Sequence, residues 1–167
     1  MKKVPFIIPE LDLGVRIQRL MVIIHKLGLN KNKKAVLDNE KIAIFDFLVK
    51  NPYILNEVLK TEGKANTIDI GETDYGTIDS LYPSVISLLD YGSIKGYLQI
   101  LVTLDFIEIQ VNETIFYIST TKGERLITED ESPYLLRIEQ LSLAVLPLRN
   151  FSTLQLIKKI RPFIKGV

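Results

Sequence analysis

The chemistry open to this chain is narrow, because its 167 residues include one histidine, His25, and no cysteine. Without cysteine there is no disulfide, thiolate nucleophile or thiolate metal ligand, which fits a reducing compartment. His25 lies inside the apolar run RLMVIIHKLG. A hydrogen-bonded structural imidazole is the expectation there, since no second His or Cys exists to share a metal with it. No phosphate-binding loop ending in Gly-Lys-Ser or Gly-Lys-Thr occurs, so the chain is not itself an ATPase. The carboxylates Asp69, Asp74 and Asp79 lack the regular alternation and terminal Glu of a calcium loop. Asp46-Phe47 reads as helix surface and Glu124-Arg125 as an ordinary ion pair. The expectation is a protein with no catalytic residue, no metal and no cofactor.

Charge says more about partners. Lys and Arg total 21 against 20 Asp and Glu, a formal net of +1, so no global field draws the chain to nucleic acid or an anionic membrane. Two segments are locally basic. One gathers Lys31, Lys33 and Lys34; the other, from Arg149 onward, carries Lys158, Lys159, Arg161 and Lys165 without an acid. With Lys95, the residues Lys31, Lys33, Lys34, Lys158, Lys159 and Arg161 are the candidates for touching a phosphate backbone without reading sequence. The lead MKKVPFIIPELDLG has its short apolar run cut by Pro5, Pro9, Glu10 and Asp12, too short for a signal-peptide core. Later apolar runs are interrupted by charge well below the ~20 residues that span a bilayer. No membrane contact and a cytoplasmic location are expected.

The elements that would position these groups follow from periodicity. Asp12 caps a helix to about Leu27, stopped by Gly28, with Leu13, Ile17, Leu20, Ile24 and Leu27 as its stripe. Asp38 or Asn39 caps a second helix, which presents Ile42, Phe45, Leu48 and Val49 to the core and ends before Pro52. Pro52 opens a third that Gly63 closes. Residues 64–81 read as an acidic insertion, followed by a short helix PSVISLLDY halted at Gly92. From Ser93, Ile94, Tyr97, Leu98, Leu101 and Leu104 keep helical spacing. The period then drops to two, with Ile107, Ile109 and Val111 opposite Glu108 and Gln110. Asn112 and Glu113 supply the turn of a hairpin that returns as TIFYIS, and TTKGERLI begins another helix. Ser132-Pro133 opens a helix to about Leu146, with Leu135, Ile138, Leu141, Leu143 and Val145 on its apolar side. Pro147 breaks it and STLQLIKKIRPF ends the chain's helical content.

The unit over 93–127 resembles the recognition helix, wing and following helix of winged-helix domains. The fold expected is therefore α+β and helix-rich: a winged helix-turn-helix core with extra N-terminal and C-terminal helices. It is organised as one domain over 1–167, with a lead and helix in 1–30, a core in 38–127 interrupted by the insertion 64–81, and C-terminal helices in 132–167. Such folds often bind DNA, yet 93–127 carries Lys95, Lys122 and Arg125 against Asp105, Glu108, Glu113 and Glu124, a net of −1. A groove-reading unit brings several cations to phosphates. Broad apolar helix faces suggest a protein partner instead, and Leu20, Ile24, Leu135 and Ile138 are the expected interface or dimer residues.

The runs RIQRLMVIIHKLG, EKIAIFDFLVKNPYILNEVL and YGSIKGYLQILVTLDFIEI, the second with its Phe45-Asp46-Phe47-Leu48 and Asn51-Pro52, resemble the small middle component of bacterial ABC-three-component systems, relatives of Lamassu-type anti-phage defence. That resemblance implies an adaptor beside an SMC-like or Rad50-like ATPase subunit and a larger effector subunit; non-specific DNA backbone contact is an expectation from the basic residues alone. It carries over no individual site residue. The rival expectation is a winged-helix transcriptional regulator that binds DNA as a homodimer.

Overall fold

The computed structural model describes residues 12–64, 68–71 and 88–164. Among them are seven α-helices and one two-stranded antiparallel sheet: α1 (Leu13–Leu27), α2 (Asn39–Lys50), α3 (Pro52–Thr61), α4 (Tyr91–Thr103), β1 (Ile107–Asn112), β2 (Thr114–Ser119), α5 (Thr121–Thr128), α6 (Pro133–Ala144) and α7 (Thr153–Ile160). Most of the acidic insertion and most of the short helix expected over 83–91 lie outside the described residues.

Local chemistry sets the helix starts. Each helix leaves its first amide groups unpaired, and a short side-chain oxygen at the N-cap accepts from one of them. Asp12 accepts from the Val15 N–H (3.1 Å), Asp38 from Lys41 (2.8 Å), Thr120 from Gly123 (3.1 Å) and Ser132 from Leu135 (3.3 Å). At α7 the arrangement is reciprocal: Ser152 Oγ accepts from the Gln155 N–H, and Gln155 Oε1 accepts from the Ser152 N–H. The third helix has no side-chain cap and starts instead with Pro52, which has no N–H to satisfy.

Helix α2 is the centre of the molecule. It is packed by α1, α3, α4, α6, α7 and β2, so every residue from Ile42 to Val49 is buried. The expected one-sided face of Ile42, Phe45, Leu48 and Val49 is therefore too narrow. Asp46, expected on a helix surface, is 3% exposed. A carboxylate in that position requires a buried cation, and Arg19 of α1 supplies it.

The helix expected to begin after Gly92 instead starts one residue before it. Asp90 caps α4, and Gly92 sits in the first turn with open space around it. Its inner face buries Ile94, Leu98 and Leu101, while Leu104 is 43% exposed. The chain leaves α4 through Asp105, which has φ of 62°, and enters the hairpin. Ile107 pairs with Ser119, Ile109 with Tyr117 and Val111 with Ile115. Asn112 pairs with Thr114, leaving Glu113 alone at the corner (φ 51°) rather than sharing the turn with Asn112.

The base of the hairpin is built into the body. The Tyr117 N–H donates to the Leu37 carbonyl (2.9 Å), and β2 lies on α1 and α2. Gly123 of α5 packs so tightly that a Cβ would overlap the Phe106 carbonyl oxygen and reach within 2.6 Å of Met21 Cε. Helix α6 lies along α1. Its buried residues are Leu135, Ile138, Leu141, Ser142 and Ala144, whereas Leu143, expected on the apolar side, is 47% exposed. Pro147 falls within a short 3₁₀ turn, Leu146–Leu148, that turns the chain toward α7.

Candidate functional site

The four expected interface residues are not at a surface. Leu20, Ile24, Leu135 and Ile138 are 1%, 1%, 2% and 5% exposed, because α1 and α6 bury their stripes against each other within one chain. The sequence pattern identified apolar faces correctly and misjudged what covers them: a broad stripe on α1 is satisfied by α2, α5, α6 and β2 together.

The basic residues divide into separate groups. Lys31, Lys33 and Lys34 are exposed on the loop between α1 and α2. Asn30 organises that loop, its Oδ1 accepting from the N–H groups of Asn32 (2.9 Å) and Lys34 (3.0 Å). Arg149 joins this end of the molecule from far along the chain, with Nη1 donating to the Leu29 carbonyl (2.8 Å) while Lys41 Nζ donates to its own carbonyl (3.0 Å). Burial, only partly offset by Asp38 and reinforced by the nearby Arg149 charge, holds the Lys41 ammonium below its ordinary value. Lys95 is exposed on α4, and Lys158 and Arg161 are exposed at α7 and the turn after it. Lys159 is engaged: it pairs with Glu62 and lies over the Phe151 ring, 4.4 Å from its centre.

His25 sits in a polar cluster with Nδ1 3.4 Å from Ser119 Oγ and 3.6 Å from Glu124 Oε1. Ser119 Oγ also donates to Glu124 (3.3 Å). A nucleophile relay needs the hydroxyl on one ring nitrogen and the carboxylate on the other. Here both face the same nitrogen, an arrangement that joins α1 to the start of α5. Burial first and the Lys26 charge second lower the imidazole's affinity for protons, against the pull of Glu124 and Glu139. Glu124 thus faces His25 and Ser119 rather than forming the expected simple pair with Arg125. No group of three or more potential metal ligands occurs among the described residues.

Sequence reasoning missed two features. One is the buried pair of Arg19 Nε and Asp46 Oδ1, 2.6 Å apart, with Nη2 3.4 Å from Oδ2 and Lys50 Nζ 3.5 Å from the same oxygen. The signal was present in α2, where Asp46 is the single charge inside IAIFDFLV, but not in α1, where Arg19 follows Arg16 and Gln18 at the edge of the apolar run. Burial pushes the Asp46 carboxyl upward, but the Arg19 and Lys50 charges outweigh it and leave it below the ordinary aspartate range.

The second is the outer hairpin. Ile109, Val111 and Ile115 share one face, as alternation requires, and are 46%, 79% and 47% exposed. Alternation revealed the shared face but not that the hairpin extends beyond the helices that cover its base. Residues 105–119 contain Asp105, Glu108 and Glu113 and no cation. The nearest base, Lys122, donates to the Leu104 carbonyl (2.9 Å) and lies over Phe106. Apolar side chains with a carboxylate rim suit a protein surface and repel phosphate.

No helix among the described residues is long and apolar enough to cross a membrane. Residues 27–158 match the family model described as ABC-three component (ABC-3C) system Middle Component 4. No curated protein and no solved structure matches the chain.

Proposed function

The chain belongs to the ABC-three component system Middle Component 4 family, and from that premise we propose that it is a non-catalytic adaptor with a winged-helix core. Membership of a multi-component system implies protein partners. In this reading the partners are an SMC-like or Rad50-like ATPase subunit and an effector subunit of a cytoplasmic anti-phage defence complex. The winged-helix reading is supported by the succession α4, hairpin, α5 and by the Tyr117–Leu37 hydrogen bond that ties the hairpin's inner strand to the segment before α2. The adaptor reading rests on one observation: the outward surface of the hairpin is apolar and acidic where a DNA reader would be cationic. Co-expression with the neighbouring gene products followed by size-exclusion chromatography tests it. Co-elution in a defined ratio is the expected result, and a chain that remains alone overturns it.

A second role is favoured by the convergence of Arg149 on the loop carrying Lys31, Lys33 and Lys34. That end of the molecule suits weak, sequence-independent contact with a phosphate backbone. The homodimeric regulator is served less well. Lys95 is the one cation of α4, and the residues expected at a dimer interface are in the core.

A further inference from the structure

The free edge of β1 is built to accept a strand. The Thr120 N–H donates to the Phe106 carbonyl (3.0 Å), in register with the ladder that pairs Ile107 with Ser119. In an antiparallel pair, hydrogen-bonded and non-hydrogen-bonded positions alternate. The bonded positions on β1 are therefore Glu108, Gln110 and Asn112, and the N–H and C=O groups of Ile107, Ile109 and Val111 point away from β2. The other side of the hairpin obeys the same parity: Tyr117, opposite Ile109, directs its N–H outward, to Leu37. On the β1 side no corresponding strand is present among the described residues.

An exposed strand edge with apolar residues is a template for pairing, and soluble proteins normally blunt such edges or cover them. Here the chemistry of the two faces also specifies the cover. Ile109 and Val111 lie on one face of β1, and Glu108 and Gln110 on the other, with Glu113 at the tip. A strand laid along β1 would place alternate side chains beside these two sets.

Resting on the adaptor reading, we infer that β1 captures an extended segment of a partner protein in which apolar residues alternate with Lys or Arg, the apolar set continuing the Ile109–Val111 strip and the cations lying on the Glu108 face of a hairpin whose tip carries Glu113. A second copy of this chain is a poorer occupant, because two hairpins with three carboxylates and no cation each would repel along the shared edge. Duplex DNA is excluded by the same charge.

The test uses the full chain co-expressed with its neighbouring gene products. Ile109→Pro deletes an outward N–H without removing a β1–β2 hydrogen bond, which edge positions tolerate. Glu108→Lys with Glu113→Lys reverses the rim at two exposed positions and serves if the proline variant does not fold. Each is expected to weaken complex formation about tenfold or more, main-chain pairing supplying affinity and side chains specificity in strand addition. In the wild-type complex, the Ile109 and Val111 amides should exchange with deuterium at least about tenfold more slowly than in the free chain. If both variants join the complex as well as the wild-type chain does, and the Ile109 and Val111 amides stay unprotected in the wild-type complex, this inference is overturned while the adaptor reading stands. A wild-type chain that never joins its neighbours overturns both. Dimerisation of the isolated chain that Ile109→Pro abolishes would assign the edge to self-association and overturn the partner-strand assignment.

Discussion

Arg19 and Asp46 form a two-point ion pair between α1 and α2, with both side chains almost fully enclosed (Nε to Oδ1, 2.6 Å; side-chain exposures 3% and 4%). Removing one member strands the other charge in the core, whereas removing both removes the desolvation penalty as well. Arg19→Met should destabilise the fold by about 3–5 kcal/mol, moderated by Lys50, and Arg19→Met with Asp46→Leu should recover most of that loss. Urea unfolding of the two variants checks the ordering. A double variant no more stable than the single one would refute it.

Acid should lower the protein's stability in two distinguishable pH windows. Asp46 is held below the ordinary aspartate value of 3.8, so its contribution is complete above that value and is lost as pH falls through the lower folded-state value. His25 is also held below its ordinary 6.5, but it loses a proton on folding rather than keeping a charge. Below 6.5 the unfolded chain binds more protons, and stability falls until the folded-state value is passed. Thermal midpoints measured from pH 7.5 to 3 should decline in both windows. His25→Gln should remove the upper decline and Asp46→Asn the lower.

Gly123 is a packing requirement. A methyl group there meets the fixed Phe106 backbone as well as the movable end of Met21, so Gly123→Ala should cost about 1–3 kcal/mol by overpacking despite alanine's better helix propensity. Gly96, with nothing within 4 Å of a Cβ, should instead gain up to about 1 kcal/mol as alanine. Denaturant midpoints of the two variants should move in opposite directions.

Any duplex binding should be weak, indifferent to sequence and steeply salt-dependent. If Lys31, Lys33 and Lys34 each neutralise a phosphate, replacing all three by Glu should flatten the slope of log K against log salt by roughly 2.7. Lys95→Glu should leave the slope unchanged. A loss of affinity on Lys95→Glu that depends on sequence would restore the regulator reading.

Where signals are local, the fold was readable. Asp12, Asp38 and Ser132 cap the helices expected of them, Pro52 opens α3, and the change from period 3.6 to period 2 after Leu104 marks the start of the hairpin. What failed was neighbourhood. Leu20 and Ile138 were readable as apolar stripe residues, but whether another chain or another helix covers such a stripe is decided by tertiary packing, which periodicity does not contain. Asp46 failed for the same reason in reverse: a charge is normally solvated, and only a helix enclosed on all sides forces it to find Arg19. The exposed hairpin face lay between these extremes. The alternation that places Ile109 with Val111 is visible in sequence, while their exposure depends on how far the hairpin overhangs the helices.

The single hydrogen bond from Tyr117 to Leu37 has a mechanical meaning. Leu37 immediately precedes Asp38, whose carboxylate caps the central helix, so the hairpin is anchored one residue before the N-cap of α2. The base of the protruding ribbon and the N-terminus of the most deeply enclosed helix are therefore tied to the same short stretch of chain, so neither can shift without straining the other's hydrogen bond.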